Sequence, residues 1–212
     1  MRVSAVSGRV TVVAGSEFSV KGHADVRIDG SVATVAADSS RVEVTVPQGV
    51  HVAIGTTSGR IQARGQLGDT AITSVSGRVS VEHATSVDVR SGSGRVEVGA
   101  VDGMCRVRAD NGRVSVDRAG SADLATGSGR IEVGSVAGPV RAHSVSGRVT
   151  VGLSRAAEVD AETISGRIEV RLPRGVVATV DRGDGAPGAE PADCHVRAAS
   201  VSGRVDVVGA ER

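Results

Sequence analysis

The unit Ser-Gly-Arg-Val/Ile recurs along this chain with its glycine at positions 8, 59, 77, 94, 129, 147, 166 and 203. Asn111-Gly112-Arg113-Val114 is the same unit with Asn for Ser, and Ser39-Ser40-Arg41-Val42 is a degenerate copy. From Gly59 to Gly166 the steps are 18, 17, 18, 17, 18 and 19 residues. A fixed period of this size marks an array of stacked units. The outer intervals, 51 residues from Gly8 to Gly59 and 37 from Gly166 to Gly203, read as about three and two further steps.

Within a unit, apolar residues stand two and four positions after the glycine, as in Val96/Val98, Val114/Val116 and Ile131/Val133. A second pair stands seven and five positions before it, as in Val87/Val89, Cys105/Val107 and Ala122/Leu124. Alternation at period two gives each pair one short strand with a single face turned inward. A small residue (Thr56, Ser74, Ser91, Ala109, Thr126, Ser144, Thr163) precedes each glycine by three. The glycine falls at the corner between strands, where positive φ is easily accommodated. Two strands and their corners make one coil, and coils stack at the strand spacing of about 4.8 Å.

The fold predicted is all-β, a single-stranded β-solenoid of about 11–12 coils of 17–18 residues each, a rod on the order of 50 to 60 Å long. A β-sandwich also shows many short strands. It has no need for the same residue at the same corner turn after turn; a stack does, because equivalent positions become neighbours. Residues 1–212 are read as one solenoid domain. Residues 14–37 form an irregular terminal coil in it, with Phe18 plugging the core, and 181–192 form an inserted Gly/Pro/acid surface loop. Val46-Pro47-Gln48-Gly49-Val50 and Leu172-Pro173-Arg174-Gly175-Val176 are two copies of one turn.

Phe18 is the single aromatic residue, so the core must be narrow and filled by Val, Ile, Leu and Ala. The 25 basic and 24 acidic residues leave a net charge of +1, which gives no global attraction to nucleic acid or anionic lipid. No apolar run is long enough to span a membrane. No secretory signal precedes the first repeat, so the expected location is cytoplasmic. Cys105 and Cys194 stand alone and are read as reduced core residues.

Ten arginines share one repeat position: Arg9, Arg41, Arg60, Arg78, Arg95, Arg113, Arg130, Arg148, Arg167 and Arg204. A stack turns them into an outward column of like charges that needs relief. Glu43, Glu97, Glu132, Glu169 and Asp206 stand two residues after their arginines on the same strand face, and Glu82 and Asp117 two residues further on. The expectation is a self-neutralising ion lattice; the sharper alternative is an anion-binding or protein-contact face formed by Arg60, Arg78, Arg95, Arg113, Arg130, Arg148 and Arg167.

Catalytic readings fare worse. A polysaccharide-cleaving β-helix needs clustered carboxylates and aromatic platforms, whereas here the acids are spread one per coil and Tyr and Trp are absent. The histidines, His23, His51, His83, His143 and His195, fall in different coils without metal-ligand spacing. The serines of the repeat are too regular to be nucleophiles. No catalytic, cofactor-binding or metal site is expected, and the chain is read as no enzyme.

The Ser-Gly-Arg-Val and Ser-x-Ser-Gly units, with the Pro-x-Gly-Val turn, resemble the bacterial β-strand-repeat family that carries an adhesin label and is a domain of unknown function. The resemblance implies a role in binding or surface interaction. The coil length is also similar to that of bactofilins, cytoskeletal β-helices that polymerise end to end. The functional expectation is a structural scaffold that self-associates through its ends or binds a protein partner, because the sequence begins and ends on regular coils without an evident cap. The alternatives are an adhesin-like or polyanion-binding module using the arginine face and, behind it, a carbohydrate-active β-helix; nucleic acid is disfavoured as a partner by the lack of stacking aromatics.

Overall fold

A computed structural model describes residues 1–29, 32–37, 41–181 and 193–209. The chain is a β-solenoid, and strand β8 (Val140–Leu153) shows how one coil is made. Val140, Ala142 and Ser144 point inward, Val145, Ser146 and Arg148 stand exposed around Gly147, and Val149, Val151 and Leu153 point inward again. The next coil, β9 (Val159–Leu172), lies parallel to it with Val140 on Val159, Gly147 on Gly166 and Arg148 on Arg167. Like stacks on like, so a residue tolerated once is tolerated in every layer.

The corner glycines satisfy two demands at once. Gly129 and Gly147 have φ of 141° and 151°, a region closed to most L-residues. A Cβ on Gly129 would also overlap the carbonyl oxygen of Gly112, and one on Gly147 that of Gly129. Beside the glycines, Thr56, Ser74, Ser91 and Thr126 donate to the carbonyl oxygens of Ser58, Ser76, Ser93 and Ser128 at 3.1 to 3.4 Å. In these coils the buried hydroxyl satisfies itself on its own corner, which suits a small polar residue at this position.

The core is a thin column of aliphatic side chains, with Ile61, Leu67, Ile72, Leu124, Ile131 and Ile168 the largest fully buried ones. Cys105 and Cys194 are free thiols within it. The Pro-x-Gly turns are alike in structure too: Gly49 and Gly175 have φ of 72° and 75°.

Order along the stack departs from order along the chain at both ends. The first coil consists of β1 (Arg2–Ala5) and β2 (Arg9–Gly15). It lies between the coil of β5 (Val32–Ala37) and β6 (Arg41–Pro47) on one side and β7 (Val52–Val136) on the other. Val3 pairs with both Val35 and Ile54, and Val10 with both Val42 and Ile61. The expected irregular coil over 14–37 is instead largely a cap. β3 (Ser19–Lys21) and β4 (Asp25–Asp29) run antiparallel on β6 and β5, with Val20 on Val44 and Val26 on Val35. Phe18 is 37% exposed and plugs nothing.

At the other end, β10 (Ala178–Asp181) lies outside β11 (Cys194–Gly209): Val196 pairs inward with Val159 and outward with Val180. The surface loop expected over 181–192 lies, apart from Asp181 in β10, outside the described residues. The long outer intervals are therefore single steps in space, since Gly59 sits on Gly8 and Gly203 on Gly166. The arginine layers run in the order 41, 9, 60, 78, 95, 113, 130, 148, 167, 204. The expectation of two regular coils at open ends fails for the first coil, which is paired on both edges.

Candidate functional site

Each arginine of the column except Arg41 follows a corner glycine, so the glycine backbone forms a shallow floor with guanidinium groups along its side. Gly8, Arg9, Arg41 and Gly59 to Arg95 line one stretch of about 880 Å³, and Gly112 to Arg204 line a second of about 920 Å³. Arg60, Arg78, Arg113, Arg148 and Arg167 are exposed, and Arg95 and Arg130 partly so. All seven arginines singled out from the sequence thus share one surface.

The ion lattice forms only in part. Arg95 reaches Glu97 at 3.5 Å and Arg130 reaches Glu132 at 3.4 Å. Glu169 turns away from Arg167 to Arg171 at 2.7 Å, and Glu43 turns to Lys21 at 3.9 Å. Glu82 reaches Arg64 at 3.9 Å and accepts a hydrogen bond from the Gly65 amide. The physical reason is local: Glu169 and Glu43 each also have a second cation within reach, Arg171 along the same strand and Lys21 on the capping strand. Among the described residues, Arg60, Arg78, Arg113, Arg148 and Arg167 form no ion pair. The column is a less compensated strip of positive charge than the sequence suggested.

Three histidines reach across layers to acids: His51 to Asp69 at 3.0 Å, His83 to Asp102 at 3.1 Å and His143 to Glu162 at 3.4 Å. Among the described residues no three His, Cys, Asp or Glu side chains gather in a metal-binding group. Burial pushes the Cys105 thiol up to about 12, and the Cys194 thiol is raised by the same cause.

A second surface escaped the sequence reading. The residue two before each corner glycine points outward, and in several layers it is aliphatic: Val6, Val75, Val145, Ile164 and Val201 are 50 to 84% exposed. The signal was present as the x of Ser-x-Ser-Gly, an outward position that alternation should fill with polar residues. The last three lie on successive layers and edge a groove of about 770 Å³, with Arg108, Asp110, Thr126, His143 and Glu162 also in its lining. In these layers the buried hydroxyls of Ser144, Thr163 and Ser200 lack the corner hydrogen bond made elsewhere.

No helix among the described residues is long and apolar enough to cross a membrane. No curated protein matches the chain. A solved structure described as a "putative cell adhesion protein" from Clostridium sporogenes ATCC 15579 aligns over 98% of this chain and 91% of its own, at 8% identity and a TM-score of 0.23, too low to carry an argument. The repeat itself is more telling. Residues 35–207, nearly all of the glycine-cornered stack, match one family model, and the chain belongs to the Toastrack DUF4097 family, a domain of unknown function.

Proposed function

We propose that the protein is a non-enzymatic scaffold whose arginine column docks a partner protein with an acidic face. The observation that supports this reading is the run of Arg113, Arg148 and Arg167 without carboxylate partners on one surface of the stack, with Arg130 alone paired among them. Guanidinium groups repeated about every 4.8 Å along a rigid axis suit an opposing row of carboxylates. Chain stiffness adds to this, because the backbone that carries the column needs no ordering on binding. The test compares retention on immobilised poly-glutamate and on heparin for the wild type and for Arg113→Gln/Arg148→Gln/Arg167→Gln. Retention of the wild type on poly-glutamate, with the triple variant eluting at clearly lower salt, supports the reading. A wild type that flows through both at low salt overturns it, and preference for heparin moves the role to polyanion binding.

A second reading, self-association through the solenoid end, is favoured by one observation. Ser200–Gly209 of β11 pairs with β9 only, among the described residues, and Val205 and Val207 are half-buried where Ile168 and Val170 are fully buried. An edge of this kind accepts another strand. Val208→Lys should suppress filaments or end-on dimers seen by negative-stain microscopy; rods that lengthen regardless argue against it.

A further inference from the structure

We propose that a second copy of this chain docks on the aliphatic corner, the two rods lying antiparallel across a two-fold axis. This surface is separate from the arginine column and from the solenoid ends. Its distinctive feature is a sequence of bulk and hollow along one line. Val145, Ile164 and Val201 stand 50, 53 and 84% exposed on three successive layers. The three layers before them carry Gly92, Asp110 and Gly127 at the same position. Gly127 sits against the Asp110 carbonyl, where a Cβ would come within 2.7 Å of the oxygen.

A ridge of three aliphatic side chains therefore runs directly into three layers where Gly92 and Gly127 leave hollows on either side of the exposed Asp110. A two-fold axis crossing the corner between Gly127 and Val145 lays the two ends of each copy's ridge over the other's glycines, which is the self-complementarity an isologous contact requires. Val145 then meets the other copy's Gly127, and Val201 its Gly92. An unrelated peptide would account for the ridge but gives no reason for glycines at the matching layers beside it.

Charge selects the same register. The flanking column, four residues before each glycine, carries Arg108 two layers to one side of His143 and Glu162 one layer to the other, so the proposed axis passes midway between them. It sets Glu162 of each copy against Arg108 of the other. Both side chains are accessible, at 42% and 53%, while within its own copy Glu162 also reaches His143 and Arg197 and Arg108 reaches Asp123. Opposite charges facing each other twice fix direction and exclude the parallel arrangement. One position is adverse: Asp110 faces Ile164, so its charge weakens the contact.

Sedimentation velocity of the full chain over a concentration series tests the proposal, with circular dichroism to confirm folding of each variant. A wild-type dimer is expected. Ile164→Asp should weaken it at least tenfold, and Asp110→Gly should tighten it. Arg108→Glu and Glu162→Arg should each weaken it, and the double exchange should restore it, a rescue that no other occupant of the groove predicts. A strict monomer at every concentration overturns the proposal, as does a dimer indifferent to Ile164→Asp. Weakened single variants without rescue in the double overturn the antiparallel register.

Discussion

Gly8 lies directly beneath Gly59: a methyl group on Gly59 would run into the Gly8 carbonyl oxygen, although an antiparallel cap and a whole coil separate the two in the chain. The same backbone contact joins every neighbouring pair of corners, from Gly59 and Gly77 to Gly166 and Gly203. The stack is thus held closest where it has no side chains, and its tolerance to change follows from that.

Gly129→Ala should destabilise the protein by at least about 2 kcal/mol, since it combines a strained positive φ with overlap on the Gly112 carbonyl. Gly55→Ala, with ordinary φ and open space around its Cβ, should change stability by less than about 0.5 kcal/mol. Urea unfolding of both variants checks the contrast; equal losses would remove the steric account of the corner.

The hydroxyls three before the glycine divide into two classes. Thr126→Val removes a hydrogen bond to Ser128 and should cost about 1 kcal/mol. Thr163→Val removes a buried hydroxyl without a partner and should be neutral or stabilising. Thermal melts of the two variants should therefore shift in different senses or by clearly different amounts.

Placement of the first coil inside the stack predicts that Val10 behaves as core. Val10 is 1% exposed and flanked by Val42 and Ile61, whereas Val205 is half-buried with a layer on one side only. Val10→Ala should cost about 2 kcal/mol or more and Val205→Ala less. Amide exchange should likewise be slower at Val10 to Val12 than at Val205 to Val207. Faster exchange in the first coil would contradict the tucked arrangement.

Cys105 supplies a pH dependence. Its folded value of about 12 exceeds the ordinary 9.0, because burial disfavours the thiolate. The unfolded chain then loses this proton first as pH rises. The contribution is complete below about 9 and declines between about 9 and 12, by at most about 1.4 kcal/mol per pH unit. Cys105→Ala should flatten the alkaline limb of a stability-against-pH curve measured by urea denaturation. In the folded wild type at pH 8, Cys105 should resist thiol reagents that modify it at once in denaturant.

Much of the candidate site was legible before any coordinates. The arginine column, its glycine corner and the inward pairs such as Ile131/Val133 follow from a period that makes equivalent residues neighbours. Two features were not. Ion pairing could not be read, because Glu169 stands two residues from both Arg167 and Arg171, and only side-chain geometry chose Arg171. The aliphatic ridge was hidden because Val145, Ile164 and Val201 are apolar residues at a position that alternation turns outward, and their adjacency depends on which layers touch.

What the sequence determined by itself is the coil: its length, its inward faces and the glycine on which it turns, all local consequences of side-chain periodicity and of the φ that only glycine accepts readily. What the tertiary structure decided is the order of the coils. The chain's first coil was free to form the end of the rod or to enter it, and hydrogen bonding on both edges, with Val3 between Val35 and Ile54, put it inside. Spacing along a chain counts residues, whereas a stack counts layers, and a strand that returns to fill a gap separates the two.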